Sequence, residues 1–127
     1  MPDIKMLVQK ALDAKQNAYA PYSGFHVGAC LITQNGDTYS GCNIENASYG
    51  ATCCAERTAI FKAVSKGERK FSAIAIASDS EEFTFPCGIC RQVMAEFKIL
   101  NIIVANNKGE YAQYTIEELL PNAFTSF

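Results

Sequence analysis

Tryptophan is absent from this 127-residue chain, and histidine occurs once, as His26. The large burial units must therefore be the eight Phe and six Tyr, within a chain that is 49% apolar and so has enough material for a real core. No stretch approaches the roughly eighteen apolar residues that a membrane span requires. The opening Met1-Pro2-Asp3-Ile4-Lys5-Met6 lacks the apolar core of a signal peptide, so a cytoplasmic location and reduced thiols are expected. Basic clusters are missing, and the net charge is −2, which removes any long-range pull toward nucleic acid or an anionic membrane. Repeats and low-complexity segments are missing too. At this length one domain, residues 1–127, is expected.

What the chain does have is six cysteines: Cys30, Cys42, Cys53, Cys54, Cys87 and Cys90. In a small secreted protein an even number would suggest a disulfide framework. This chain is long and apolar enough to fold without one. Cys30 lies in a strand-like apolar run and reads as a small core residue, and Cys42 at the end of the next run reads the same way.

Periodicity organises the rest. Residues 3–19 read as an amphipathic helix, with Ile4, Leu7, Val8, Ala11 and Leu12 at helical spacing and Asp3 as N-cap. Phe25–Thr33 reads as a strand covered on both faces, with Phe25, Val27, Ala29 and Leu31 on one side and Gly28, Cys30 and Ile32 on the other. Asn35-Gly36 marks a hairpin into a strand at Thr38–Cys42. Residues 43–53 read as a loop. A second helix is predicted from about Cys54 to Ser65, stopped by Gly67, then a strand at Ser72–Ser78, a solvated acidic loop at Asp79–Glu82, and a third helix from about Cys87 to Phe97. After a strand at Ile102–Ala105, Asn107-Lys108-Gly109 is too short for a parallel crossover, so the last strand, Glu110–Tyr114, should run antiparallel. Thr115-Ile116-Glu117-Glu118 has the pattern of a capping box. The expected fold is α/β, a three-layer α/β/α sandwich around a mixed five-stranded sheet.

Two cysteine motifs carry the chemistry: Cys54-Ala55-Glu56-Arg57, and Pro86-Cys87-Gly88-Ile89-Cys90-Arg91-Gln92. Cys87 and Cys90, three apart, share one face of a helix. Cys54 and Glu56, two apart, can meet only in a first turn, and both motifs do fall at predicted helix starts. Helix N-termini favour thiolates. Three thiolates suit a Zn²⁺ that keeps a fourth position open for water, with Glu56 beside it to move protons. Arg57 would offset the thiolate charge by hydrogen bonding to sulfur, and Arg91 and Gln92 would orient the second motif. Rival readings are a thioredoxin-like Cys87–Cys90 redox pair, a structural zinc with Cys53 as fourth thiolate, and a plain helix-start role for Glu56. His26, far from both motifs in sequence, reads as a solvated or core residue of the first strand.

Taken together these motifs resemble cytidine deaminase of the small, homotetrameric, zinc-dependent type. The resemblance extends through Ala18–Ala29, through Gly41–Tyr49 and through Leu119–Phe124, and so covers almost the whole chain. It implies one Zn²⁺ per subunit on Cys54, Cys87 and Cys90, with Glu56 as proton shuttle. It implies that Asn43 and Glu45 bond the ribose 3′-hydroxyl and that Phe25 packs against the nucleoside. Phe124 would stack on the base from a neighbouring subunit, and Tyr49 would help close the site across that boundary. The backbone around Ala55 and Pro86 would meet the polar edge of the pyrimidine. The implied reaction is hydrolysis of cytidine and 2′-deoxycytidine to the uridines plus ammonia, in pyrimidine salvage, by a homotetramer with sites shared between subunits. Neither nucleic acid nor membrane is an expected partner. Phe85 stands where the family usually has Ser or Thr, and Cys53 where it usually has no thiol. Other readings are a polynucleotide deaminase, a deaminase of a cytosine-bearing antibiotic, and a non-catalytic zinc-stapled interaction module.

Overall fold

The computed structural model describes residues 2–126. Strands β1 (Val27–Thr33), β2 (Thr38–Cys42), β3 (Phe71–Ser78), β4 (Asn101–Ala105) and β5 (Tyr111–Thr115) form one sheet in the order β2-β1-β3-β4-β5. β3 and β4 are parallel, and the other neighbours, including β4 and β5, are antiparallel. The short Asn107–Gly109 connection therefore does what its length dictates. The β1–β2 hairpin turns where Asn35-Gly36 predicted, with Gly36 at φ 94°.

Alternation along the central strand explains the layers. Ile74 and Ile76 of β3 face the cluster that holds helices α2 (Ala55–Ser65) and α3 (Gly88–Glu96), while Ala73, Ala75 and Ala77 face helix α1 (Ile4–Ala14). The small residues let α1 lie close on the sheet, against Leu7, Val8 and Ala11 of its own apolar stripe. The isoleucines fill the deeper space under α2 and α3, each fully buried branched side chain contributing about 1.5–3 kcal/mol. The β1 faces divide as the alternation predicted, Ala29 and Leu31 to one side and Cys30 and Ile32 to the other. The short helix α4 (Ile116–Leu119) starts on a complete capping box between Thr115 and Glu118.

Several boundaries differ from the sequence reading. The first helix is α1 plus a 3₁₀ turn at Lys15–Asn17, and it stops short of Tyr19, whose backbone pairs instead with Ile44. β1 begins at Val27 because the backbone of Phe25 and His26 is taken by side chains of Asn43 and Asp79 rather than by a neighbouring strand. His26 accordingly precedes the strand, and its Nδ1 lies 2.7 Å from Asp79 Oδ2. Cys54 and Cys87 are N-caps rather than first helical residues. The 43–53 segment is pinned, not free: Ile44 and Cys53 exchange two backbone hydrogen bonds of 2.9 Å. Among the described residues no helix is long and apolar enough to cross a membrane.

Candidate metal centre

α2 and α3 lie side by side on one face of the sheet, and their N-terminal ends carry the two cysteine motifs. The Sγ atoms of Cys54, Cys87 and Cys90 all fall within 4.8 Å of one another, and Cys54 and Cys87 are 3.8 Å apart. Zn–S bonds of about 2.3 Å at tetrahedral angles set sulfurs about 3.8 Å apart, so this donor set fits zinc as it stands. Cys87 is exposed and Cys90 buried, so the cluster opens to solvent on one side only. Cys53 is outside the cluster, its backbone engaged with Ile44.

The electrostatics favour an anion at Cys54. Hydrogen bonding from Cys90, reinforced by Arg57 Nη2 at 3.3 Å, pushes the Cys54 thiol down to about 5 despite burial. Cys90, donating to Cys54 and buried, holds its own proton more tightly. A metal ion binding both sulfurs would displace the Cys90 proton. The guanidinium of Arg57, held in its charged form chiefly by Cys54, offsets one of three thiolate charges. Glu56, in the first turn of α2 and only 4% exposed, is pushed up to about 7 by burial. The first-turn geometry required for Cys54 and Glu56 to share a site is therefore present.

The other residues predicted for the site are arranged by contacts that neither motif announces. Asn43 brackets the chain ahead of β1: its Nδ2 donates to Phe25 O at 2.8 Å and its Oδ1 accepts from Val27 N at 2.9 Å. Glu45 Oε1 accepts from the backbone N–H of Tyr22 and of Ser23 at 3.0 and 3.1 Å, and Oε2 accepts from the Ser23 hydroxyl. Tyr49 meets Tyr22 edge-on, the ring centroids 6.3 Å apart, over a cleft of about 320 Å³ lined also by Ser23, Glu45, Asn46 and Thr52. The Ile44–Cys53 pairing ties this whole loop to the residue next to Cys54. Ser23, invisible as a functional residue in the sequence, is the organising hydroxyl; its only signal was the turn at Gly24. Asp79 was read as solvated loop, yet it holds His26 and forms a 3.2 Å ion pair with Lys15.

Around the second motif, Ala55 and Pro86 are buried. Arg91 Nε donates to Pro86 O at 2.8 Å, which orients the approach to Cys87. Gln92 does not orient that motif; its Nε2 donates to Phe124 O at 2.6 Å. The Phe124 residue is 65% exposed. Phe85 packs edge-on against Tyr114, so the position before Pro86 serves packing on β5.

Known proteins share this fold and much of this sequence. A family model of the cytidine and deoxycytidylate deaminase zinc-binding region matches residues 1–106. A cytidine deaminase of Halalkalibacterium halodurans is 49% identical over 126 residues, spanning 98% of this chain and 96% of its own. One from Sporosarcina psychrophila is 48% identical over 125 residues, spanning 97% and 92%. The crystal structure of cytidine deaminase from Burkholderia pseudomallei superposes with a TM-score of 0.90 at 46% identity, covering 94% of this chain and 97% of that one. With three clustered sulfurs, a buried acid beside them and likeness along nearly its whole length, the chain belongs to the cytidine and deoxycytidylate deaminase family.

Proposed function

We propose that this chain is a zinc-dependent cytidine deaminase, converting cytidine and 2′-deoxycytidine to uridine and 2′-deoxyuridine with release of ammonia. The observation that carries the reading is the meeting of three sulfurs and a buried carboxyl, Glu56, at the ends of two adjacent helices. Cys54, Cys87 and Cys90 would hold Zn²⁺, which would supply a Lewis acid able to make a water acidic enough to react near neutral pH. Glu56, whose burial sets its proton affinity near neutrality, can both take and give a proton. It takes one proton from the water as the water oxygen bonds to C4, and delivers it to ring N3. C4 becomes tetrahedral. Glu56 then moves the remaining hydroxyl proton to the exocyclic amine, the C4–N bond breaks, ammonia leaves, and C4 regains a carbonyl. Arg57 steadies the sulfurs through its contact with Cys54.

Substrate recognition is assigned to Asn43 and Glu45 for the ribose hydroxyl and to Phe25 for packing on the nucleoside. Tyr49 and the exposed Phe124 close the site from neighbouring copies, and the backbone at Ala55 and Pro86 meets the pyrimidine edge. The hydrogen bonds that Asn43 and Glu45 make in the structure support this reading, because they hold both side chains in fixed orientations before any ligand arrives. The protein is read as one domain over residues 1–127, working as a cytoplasmic homotetramer with shared sites. The net charge of −2 speaks for a nucleoside rather than a polynucleotide substrate. The test is direct. Purified protein should convert cytidine to uridine, and chelation should stop it. Stoichiometric zinc without ammonia release from cytidine or deoxycytidine would leave a non-catalytic zinc module; release only from a cytosine-bearing antibiotic would relocate the substrate.

A further inference from the structure

The segment that follows α4 has no ladder to hold it. After Leu119 the chain passes Pro121, turns at Asn122 with φ 56°, packs Ala123 partly against the core and reaches Phe124, which is 65% exposed. Two consecutive residues of α3 grip it by its carbonyls. Arg91 Nη1 donates to Leu119 O at 2.8 Å, and Gln92 Nε2 donates to Phe124 O at 2.6 Å. The same Arg91 guanidinium, through Nε, donates to Pro86 O, one residue before Cys87. Its planar fork therefore fixes the distance between the ligand-bearing turn and the end of α4. Gln92 adds the second point, five residues further along the chain.

We infer that Arg91 and Gln92 are positioning residues, a two-point latch that fixes the C-terminal segment to the ligand-bearing turn of α3 and thereby sets where the Phe124 ring is presented. A main-chain carbonyl is the acceptor at both points, so the latch fixes the backbone and leaves the ring outward. An aromatic ring that must reach a neighbouring copy's site gains from such ordering, because the entropy of arranging a loose tail is met on folding rather than on substrate binding. The inference rests on the reading that Phe124 meets the base.

The test uses zinc-loaded, full-length protein and four variants. Gln92→Glu keeps the shape of the side chain but removes the donor and sets a carboxylate against the Phe124 carbonyl. Gln92→Lys keeps a donor. Phe124→Ala removes the ring and leaves the carbonyl. Amide exchange of residues 122–126 should quicken about 2- to 10-fold in Gln92→Glu, the worth of one ordinary hydrogen bond. Zinc content should be unchanged, and KM for cytidine should rise by more than kcat falls. Gln92→Lys should restore both exchange and KM. Gln92→Ala, which deletes the donor without adding charge, gives the same reading should the carboxylate disturb folding. Unchanged exchange in Gln92→Glu and Gln92→Ala overturns the latch. Faster exchange together with a wild-type KM in both Gln92→Glu and Phe124→Ala upholds the latch and overturns the reading of Phe124.

Discussion

Adding one methyl group to β2 should weaken a metal site that β2 never touches. Gly41 lies against α2. A Cβ on it would stand 2.5 Å from Ala59 N and 2.7 Å from Ala55 O, where ordinary contact begins near 3.4 Å. Both obstacles are backbone atoms, so no rotamer relieves the clash, and α2 must retreat by about 0.9 Å. Ala55 sits between Cys54 and Glu56. A retreat of that size moves the Cys54 sulfur relative to Cys87, which lies 3.8 Å away, the spacing that tetrahedral zinc sets. Gly41→Ala should cost about 1–3 kcal/mol as overpacking, a fall in Tm of roughly 4–12 °C for a chain of this size. Zinc affinity should fall about 10- to 100-fold. The control is Gly28→Ala, whose Cβ would stand 1.9 Å from Ala11 O on the α1 face. It should destabilise more, yet its folded fraction should hold zinc at wild-type affinity, because α2 is undisturbed. Thermal unfolding and competition with a chromophoric chelator measure both quantities. Wild-type zinc affinity in Gly41→Ala would show that the strand yields instead of the helix, and the reasoning would fail.

Other expectations are simpler to state. Glu56→Gln should lower kcat for cytidine by about 10²–10⁴-fold with zinc content intact, followed by the loss of cytidine absorbance; near-normal turnover would remove Glu56 from proton transfer. Cys53→Ser should keep one zinc per chain by elemental analysis, since its sulfur is outside the cluster; loss of the metal would make Cys53 a ligand. The Glu45 carboxyl is held below its ordinary value by the Ser23 hydroxyl first; burial opposes this as the next largest effect, and the N–H groups of Ser23 and Tyr22, with nearby His26, add to the lowering. The ionised form is therefore the one the fold prefers. Its support of the Tyr22–Ser23 turn is full above the ordinary carboxylate value and is lost as pH falls through the lowered folded value. Ser23→Ala should move the Glu45 titration upward in a carbon-detected NMR experiment; an unmoved titration would exclude the hydroxyl as cause.

Particular residues show what was legible before folding was considered. The capping box at Thr115, the Asn35-Gly36 hairpin, the Ala–Ile alternation of β3 and the antiparallel return after Gly109 are local, and local sterics and periodicity decide them. The sulfur set was legible for a related reason. A thiolate's preference for zinc is intrinsic to the atom, and the spacing of Cys87 and Cys90 on one helix face follows from helical pitch. Asn43, Glu45, Asp79 and Gln92 are different. An amide or carboxylate has many equivalent partners, and each of these found one far away in the chain: Phe25 and Val27, Ser23, His26 and Lys15, Phe124. No period or motif marks such pairs, because the distance that makes them is set by how the sheet stacks α1 on one face and α2 and α3 on the other. Sequence alone marked the order of the main elements and the sulfurs that cluster at two helix starts; the tertiary packing decided the element boundaries and which polar side chains orient the loops and the C-terminal segment around that centre, since only packing brings their partners within hydrogen-bond reach.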